Sequence, residues 1–365
     1  MIMNSNSVQG RKYRKILSVF LIADIIIMVF LAIYYFWGNS VSSDESPYDN
    51  AQLVFEDLSD VKVIPSGEPV GIYLKTDGVM VVDTGDVVNS EGQLCCPSKD
   101  IIQTGDYIIA VNDEEVSTKK ELTEAVNSCQ GNSVNIRYIR DDEEYTCDIT
   151  PVKSENNTYM LGLWIKDDIS GIGTVTFVMG NTFMALGHSV SDNDTGLMVR
   201  SSEGGVYITH ITNINKSLVS MPGQLQGTIL YRKDLIGIIE KNMECGISGY
   251  LDDDYISENY DSSEALYVAA GNEVECGKAY IYSRITGELK KYEINIEKVD
   301  YTSSSKNIEF EVTDEELLEL TGGVIQGMSG SPIIQNDKII GAVTHVLVEA
   351  PEKGYGIFVE TMLNF

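Results

Sequence analysis

From Asn156 to Phe365 the chain is a succession of short apolar runs interrupted by glycine at close intervals. Few of these runs carry the i, i+3, i+4 apolar spacing of a buried helix face, so strands must supply most of the core. About 210 residues of short strands have to bury their inner faces and dispose of their edges, and closing the sheets into barrels does both. The pattern predicts a mainly-β double barrel over residues 154–365. "GIGTVTFVMGNTFMALGHSVS" (171–191) reads as two strands joined at Gly180-Asn181, a strong hairpin signal. The clearest helix is "VTDEELLELTGG" (312–323), capped by Thr313 or Asp314 and carrying apolar Leu317, Leu318 and Leu320.

The N-terminal side is organised differently. "ILSVFLIADIIIMVFLAIYYFW" (16–37) holds 22 residues and one charge, enough to span a hydrocarbon core as a helix. "RKYRK" precedes it and no basic run follows, which predicts a cytoplasmic tail (1–15) and an exported remainder. No small-residue cleavage pattern lies near its end, so it is expected to stay as an anchor. Asp24 at mid-span is expected to be a tolerated neutral acid. "GNSVSSDESPYDNAQ" begins a polar linker (38–63) without an apolar face.

Composition excludes one class of partner. After residue 37 the chain holds 22 basic and 54 acidic residues, a net of −32. Such a surface repels phosphate backbones, so no nucleic acid is expected as a partner. Six cysteines (Cys95, Cys96, Cys129, Cys147, Cys245, Cys276) permit disulfides in an exported protein but do not fix any pairing. Their spacing does not suggest zinc, and neither metal nor cofactor is expected.

Between about Ile64 and Val152 short strands surround one helix. "VGIYLK" and "GVMVVDTG" are strand-like and "STKKELTEAVNSC" is a serine-capped amphipathic helix with Leu122, Ala125 and Val126 on one face. "SVNIRYIRDDEEYTCDITPV" turns at its acidic run. This order resembles a PDZ domain of the bacterial type, with "GDYIIAVND" in place of the usual Gly-Asp-x-Ile-x-x-Val-Asn-Gly block. Asp113 stands where glycine is usual, and "CPSKDIIQTGD" is one residue short and lacks an Ala-Gly pair. The resemblance implies an α+β PDZ domain over 64–153. Its carboxylate-binding loop would be Val70, Gly71, Ile72, Tyr73 and Leu74, whose backbone N–H groups would hold peptide C-termini.

The chemistry is concentrated in "TGGVIQGMSGSPII" (321–334). In trypsin-like peptidases the nucleophile sits in Gly-Asp-Ser-Gly-Gly-Pro, and Gly327-Met328-Ser329-Gly330-Ser331-Pro332 differs from it only at Met328 and Ser331. Flanking glycines let the backbone turn sharply, so that the N–H groups of Gly327 and Ser329 can serve as an oxyanion hole. "PIIQNDKIIGAVTHVLVE" then reads as strand, Asn-Asp turn and strand. A serine nucleophile needs a base, and the chain has three histidines. His188 ends an apolar strand among small residues, similar to the Ala-Ala-His block of the same peptidases. His345 lies on the strand that would flank the substrate, and His210 sits inside an alternating strand. Asp192, Asp194, Asp234 and Asp314 all remain candidates for the orienting acid, with Asp314 equally readable as a helix cap.

Taken with the expected anchor and PDZ domain, "MALGHSVSDNDTG" and "TGGVIQGMSGSPIIQNDKIIGAVTHV" resemble the SpoIVB peptidases (stage IV sporulation protein B) over essentially the whole chain. These are chymotrypsin-like-clan serine peptidases with the order His, Asp, Ser. The resemblance implies His188 as base, Asp314 as acid and Ser329 as nucleophile; His345, from its strand, is a candidate to line the substrate cleft. It also implies export into the space between forespore and mother-cell membranes, self-cleavage, and cutting of a membrane-associated regulator of an intramembrane protease that triggers pro-sigma-K processing. The competing expectation is a non-catalytic PDZ-type adaptor that binds peptides at the membrane.

Overall fold

A computed structural model describes Leu58 and residues 60–364. The expected cytoplasmic tail, transmembrane anchor and most of the linker lie outside these residues. Among the described residues no helix is long and apolar enough to cross a membrane.

Two closed barrels of six antiparallel strands form the framework. The first runs Pro69–Thr84, Leu163–Met179, Thr182–Ala185, Gly246–Leu251, Leu235–Met243 and Ser201–Asn215, which pairs back with Pro69–Thr84. The second runs Pro332–Gln335, Gly277–Ser283, Lys290–Val299, Ile308–Val312, Ala350–Phe358 and Lys338–Leu347, which returns to Pro332–Gln335. Alternate residues point inward, as the two-residue strand period requires. Val70, Ile72, Leu74, Val175, Phe183 and Val206 fill the first barrel, and Ile281, Ile294, Phe310, Ile333 and Val343 fill the second.

A short strand, Lys62–Pro65, ties the barrels together. It pairs with the first barrel at Ile64↔Val178 and with Leu266–Val268 at Val63↔Leu266, and the latter runs parallel to Lys338–Leu347. Val63, Phe177, Met184, Tyr282, Ile334, Ile357 and Met362 form a third apolar cluster there. Each such side chain contributes roughly 1.5–3 kcal/mol by leaving water, so the two barrels are held as one body.

The region expected to be a PDZ domain is an insertion into the first barrel. Pro69–Thr84 leaves the barrel at Gly78 (φ 97°), and its distal half pairs with Tyr107–Val111 and with the start of Leu163–Met179. Val134–Arg140, Glu143–Ile149 and the helix Lys119–Ser128 complete the insert around Val79, Val81, Ile108, Leu122 and Ile136. Thr118, not the preceding serine, caps that helix, in a reciprocal pairing with Glu121.

Two sequence expectations are corrected here. The segment before Gly78 belongs to the barrel, so the insert begins near Val79 and runs past residue 153 to Lys166. Val70, Gly71, Ile72, Tyr73 and Leu74 are not a peptide-binding loop. One edge of this stretch pairs with 169–173 and the other with 204–208, so its backbone groups are already used. Among the described residues the sheet of the insert has two open edges, Glu143–Ile149 and the start of Leu163–Met179, and the latter lies beside the helix Lys119–Ser128.

Candidate active site

The loop that carries Ser329 is shaped by glycines. The helix Glu315–Thr321 ends at Gly322 in the left-handed region, and Gly327 (φ 101°) and Gly330 (φ 97°) also take conformations that side chains disfavour. A Cβ on Gly330 would lie 2.0 Å from the Thr174 carbonyl oxygen and 2.5 Å from Leu186 N, so the loop touches the first barrel backbone to backbone. Thr174 fixes the contact: its Oγ1 donates to the Gly327 carbonyl at 2.7 Å and its N–H to the Ser329 carbonyl at 2.9 Å. With those carbonyls turned toward Thr174, the N–H groups of Gly327 and Ser329 donate to no acceptor among the described residues. Such groups are rare in protein interiors, and here both belong to residues that line a cleft. Ser329 is half-buried at that cleft and its Oγ donates to the Thr344 carbonyl at 2.9 Å. Ser331 is fully buried and its hydroxyl has no partner among the described residues.

His188 follows the strand Thr182–Ala185 through two residues of positive φ, Leu186 (73°) and Gly187 (72°). A leucine in that region stores of order 1–3 kcal/mol of strain, which the surrounding packing must hold. The His188 Nδ1 lies 2.8 Å from the Ser189 carbonyl; as donor there, the ring keeps Nε2 free to accept a proton. Burial holds the pKa of His188 below the ordinary histidine range, partly offset by the Ser189 carbonyl. The His345 ring lies 5.4 Å from that of His188, centroid to centroid, on the rim of the same cleft. Desolvation, then the charges of His188 and Lys306, pull its pKa down as well.

The chain beyond His188 is clamped by Asn242, which carries no signal in the sequence, and by Asp192, a candidate acid that serves here as a turn former. Asn242 accepts from Val190 N at 2.8 Å and donates to the carbonyls of Val190 and Val199, both at 2.9 Å. Asp192, buried, accepts from the N–H groups of Asp194 and Thr195 and pairs with Lys166. Burial alone would raise its pKa, but Lys166 and the hydrogen bonds from Thr195 bring it below the usual carboxylate range.

The cleft between the barrels has a volume of about 890 Å³ and brings together His188, Ser329, Gly327 and His345. Its remaining walls include Leu186, Leu225, Ile325, Gln226, Gln326 and Thr344, and none of its lining residues is Asp, Glu, Lys or Arg. The other sequence candidates lie elsewhere. His210 is exposed, 3.4 Å from Asp234, and Asp194 pairs with Lys166 at 2.6 Å. Asp314 caps the helix Glu315–Thr321: its Oδ1 accepts from Leu317 N at 3.0 Å and its Oδ2 from Glu293 N at 3.3 Å. Neither oxygen is bonded to His188. Among the described residues all six cysteines are free, and no His, Cys, Asp and Glu side chains cluster closely enough to hold a metal ion.

Comparison with known proteins adds the following. The PDZ domain of the SdrC-like protein (Lmo2051) from Listeria monocytogenes is 24% identical, with 25% of this chain and 90% of that chain covered and a TM-score of 0.21. The Rv3671c protease of M. tuberculosis in its active form is 11% identical, with 53% of this chain and 71% of that one covered and a TM-score of 0.29. An inactive form of Rv3671c, with alanine in place of a serine, is 12% identical, with 52% and 78% covered and a TM-score of 0.29. None of the curated proteins matches. The family description SpoIVB peptidase S55 matches residues 157–363, more than half of the chain and all of the segment that holds His188 and Ser329. The chain belongs to the SpoIVB peptidase S55 family and is a serine peptidase.

Proposed function

We propose that this protein is a membrane-anchored serine endopeptidase of sporulation signalling, with Ser329 as nucleophile and His188 as general base. The observation that carries the site assignment is the pair of unpartnered N–H groups of Gly327 and Ser329, lining one cleft with the Ser329 hydroxyl and a histidine whose Nε2 is free. For attack, the Ser329 hydroxyl turns from the Thr344 carbonyl to Nε2 of His188 and adds to the peptide carbonyl as the imidazole takes its proton. Charge then develops on the carbonyl oxygen, where each oxyanion donor is worth about 10²–10³ in turnover. The imidazolium returns the proton to the leaving amine, and water repeats the sequence on the acyl-enzyme. A non-catalytic adaptor would have no use for a pair of N–H groups kept free in a cleft.

The uncharged cleft favours an extended, uncharged segment around the cut site, and the strongly acidic surface disfavours acidic ones. A peptide can add along the open edge of the insert at the start of Leu163–Met179, which would retain a protein substrate near the cleft. With residues 16–37 as anchor and the N-terminus cytoplasmic, the catalytic part faces the space between forespore and mother-cell membranes. There it releases itself by self-cleavage and cuts a membrane-associated regulator of an intramembrane protease, the step that leads to pro-sigma-K processing. Mass analysis of the full-length protein after incubation tests this. The parent should shorten with time and Ser329→Ala should not; equal shortening of both would overturn the self-cleaving reading.

A further inference from the structure

We propose that a hairpin arm of the first barrel holds the oxyanion hole in shape, with the Leu225 N–H fixing the direction of the Gly327 N–H and Ser217 anchoring the arm. The inference rests on the reading of Gly327 and Ser329 as oxyanion donors and names the groups that orient them. In a trans peptide the carbonyl of one residue and the N–H of the next point in opposite directions. Whatever fixes the Gln326 carbonyl therefore also aims the Gly327 N–H. That carbonyl accepts from the Leu225 N–H at 2.9 Å, and the Gln326 N–H donates to the Gly223 carbonyl at 2.9 Å. Glycine adopts many backbone conformations, so a peptide at Gly327 (φ 101°) needs such a hold to keep its N–H toward the cleft.

The arm grows out of the barrel. Ser201–Asn215 pairs with barrel strands as far as residue 208, and residues 209–215 then pair with Gln224–Ile229. The far end of this hairpin crosses to the second barrel where the helix Glu315–Thr321 ends. There Ser217, buried, donates its N–H to the Thr321 carbonyl at 2.7 Å and its Oγ to the Val324 carbonyl at 3.0 Å. The same Oγ accepts from Gly223 N at 2.8 Å, which closes the arm on itself. Two glycines admit this approach: a Cβ on Gly223 would lie 2.5 Å from Ser217 N, and one on Gly322 would lie 2.5 Å from the Ser217 carbonyl oxygen.

Beyond this anchor the arm runs beside the nucleophile loop, with Gln224 and Gln326 forming a parallel bridge. The Leu225 side chain is buried in the apolar cluster that holds Val324, Ile325 and Met328, and it lies against Gly327, where a Cβ would come 2.9 Å from its Cδ1. The second barrel itself bonds to this stretch from the neighbouring strand through the Pro351 carbonyl, which accepts from Val324 N at 2.8 Å. That bond lies two residues before Gln326 and does not set its peptide plane. Leu225 and Ser217 are thus positioning residues that act through Gly327. The tip of the arm is different: Val219 is 66% exposed and takes no part in the anchor.

The test compares the full-length parent with Leu225→Pro, Leu225→Ala, Ser217→Ala and Val219→Ser. Proline removes the N–H that holds the Gln326 carbonyl, alanine keeps it, and Ser217→Ala loosens the anchor. The probe is a peptidyl trifluoromethyl ketone carrying ¹³C at its carbonyl. Ser329 Oγ adds to that carbon, its proton passes to His188, and the charge left on the ketone oxygen occupies the oxyanion hole. NMR titration of the adduct then reads the donors directly. Leu225→Pro and Ser217→Ala should raise the oxyanion pKa by about one unit or more and lower kcat about tenfold or more, with KM within about threefold. Leu225→Ala should shift the pKa less than Leu225→Pro, and Val219→Ser should match the parent. Ser217→Ala decides the question if Leu225→Pro does not fold. The parent's oxyanion pKa in folded Ser217→Ala, whatever its melting temperature, or equal shifts in the two Leu225 variants, would overturn the proposal while leaving Ser329 as nucleophile. Failure of the folded parent to form the adduct at Ser329 would remove the peptidase site on which the proposal rests.

Discussion

Replacing Asp314 by asparagine separates a helix cap from a triad acid, because asparagine keeps one acceptor oxygen and loses the charge. In the structure both carboxylate oxygens accept backbone N–H groups, Leu317 N at 3.0 Å and Glu293 N at 3.3 Å. The asparagine carbonyl can keep the shorter bond, but its NH₂ group then faces the Glu293 N–H, donor to donor. The loss is one long hydrogen bond and the favourable charge at a helix N-terminus, together about 1–2 kcal/mol. In a folded unit of this size that lowers the melting temperature by roughly 2–6 °C. Turnover should stay within about threefold of the parent on the cap reading, because neither Asp314 oxygen is bonded to His188. Calorimetry and a peptide-cleavage assay on the same preparation check both numbers. An unchanged melting temperature with turnover down by orders of magnitude would refute the cap reading and restore Asp314 as the orienting acid.

Other outcomes follow from the same geometry. Ser331→Ala removes a buried hydroxyl without a partner, so turnover should be retained and stability should hold or rise slightly, as thermal unfolding will show. Asn242→Ala leaves the Val190 N–H and the Val199 carbonyl unpaired close to His188; it should cost about 2–3 kcal/mol and lower kcat more than it changes KM. As the proposed base, His188 must be neutral, and burial lowers its pKa, so the acid limb of the activity profile should lie below the ordinary value of about 6.5. Stability has the matching sign: below pH ~6.5 the unfolded chain binds protons that folded His188 and His345 refuse, so stability falls as pH drops toward their folded pKa values. His345→Gln should flatten that decline in a melting-temperature series.

The shape of the loop that carries Ser329 was legible in the sequence because its requirements are local. Gly327 and Gly330 stand at positive φ, and the Asn336-Asp337 turn takes φ of 51° and 59° between the two strands expected around it. Gly180 turns the hairpin that leads to His188 in the same way. What depends on distant partners was not legible. Val70, Ile72 and Leu74 alternate as any half-buried strand does, and only pairing with 169–173 and 204–208 makes that strand central and not an edge. The barrel's first hairpin is split by the insert, so a boundary drawn from local pattern fell inside it. Asn242 sits in "IIEKNMECGI" with nothing to mark it until that hairpin is folded against the chain beyond His188. Asp314 was ambiguous for a physical reason: an aspartate before a short helix caps it whether or not it has a second task.

The most direct measurement is to react the protein with a fluorophosphonate and locate the modified residue by mass spectrometry. Ser329 should carry the label, within the peptide that contains "GMSGSP", and labelling should persist in Ser331→Ala but vanish in Ser329→Ala and His188→Ala. Label on Ser331, or a folded protein that does not react, would contradict Ser329 as the nucleophile.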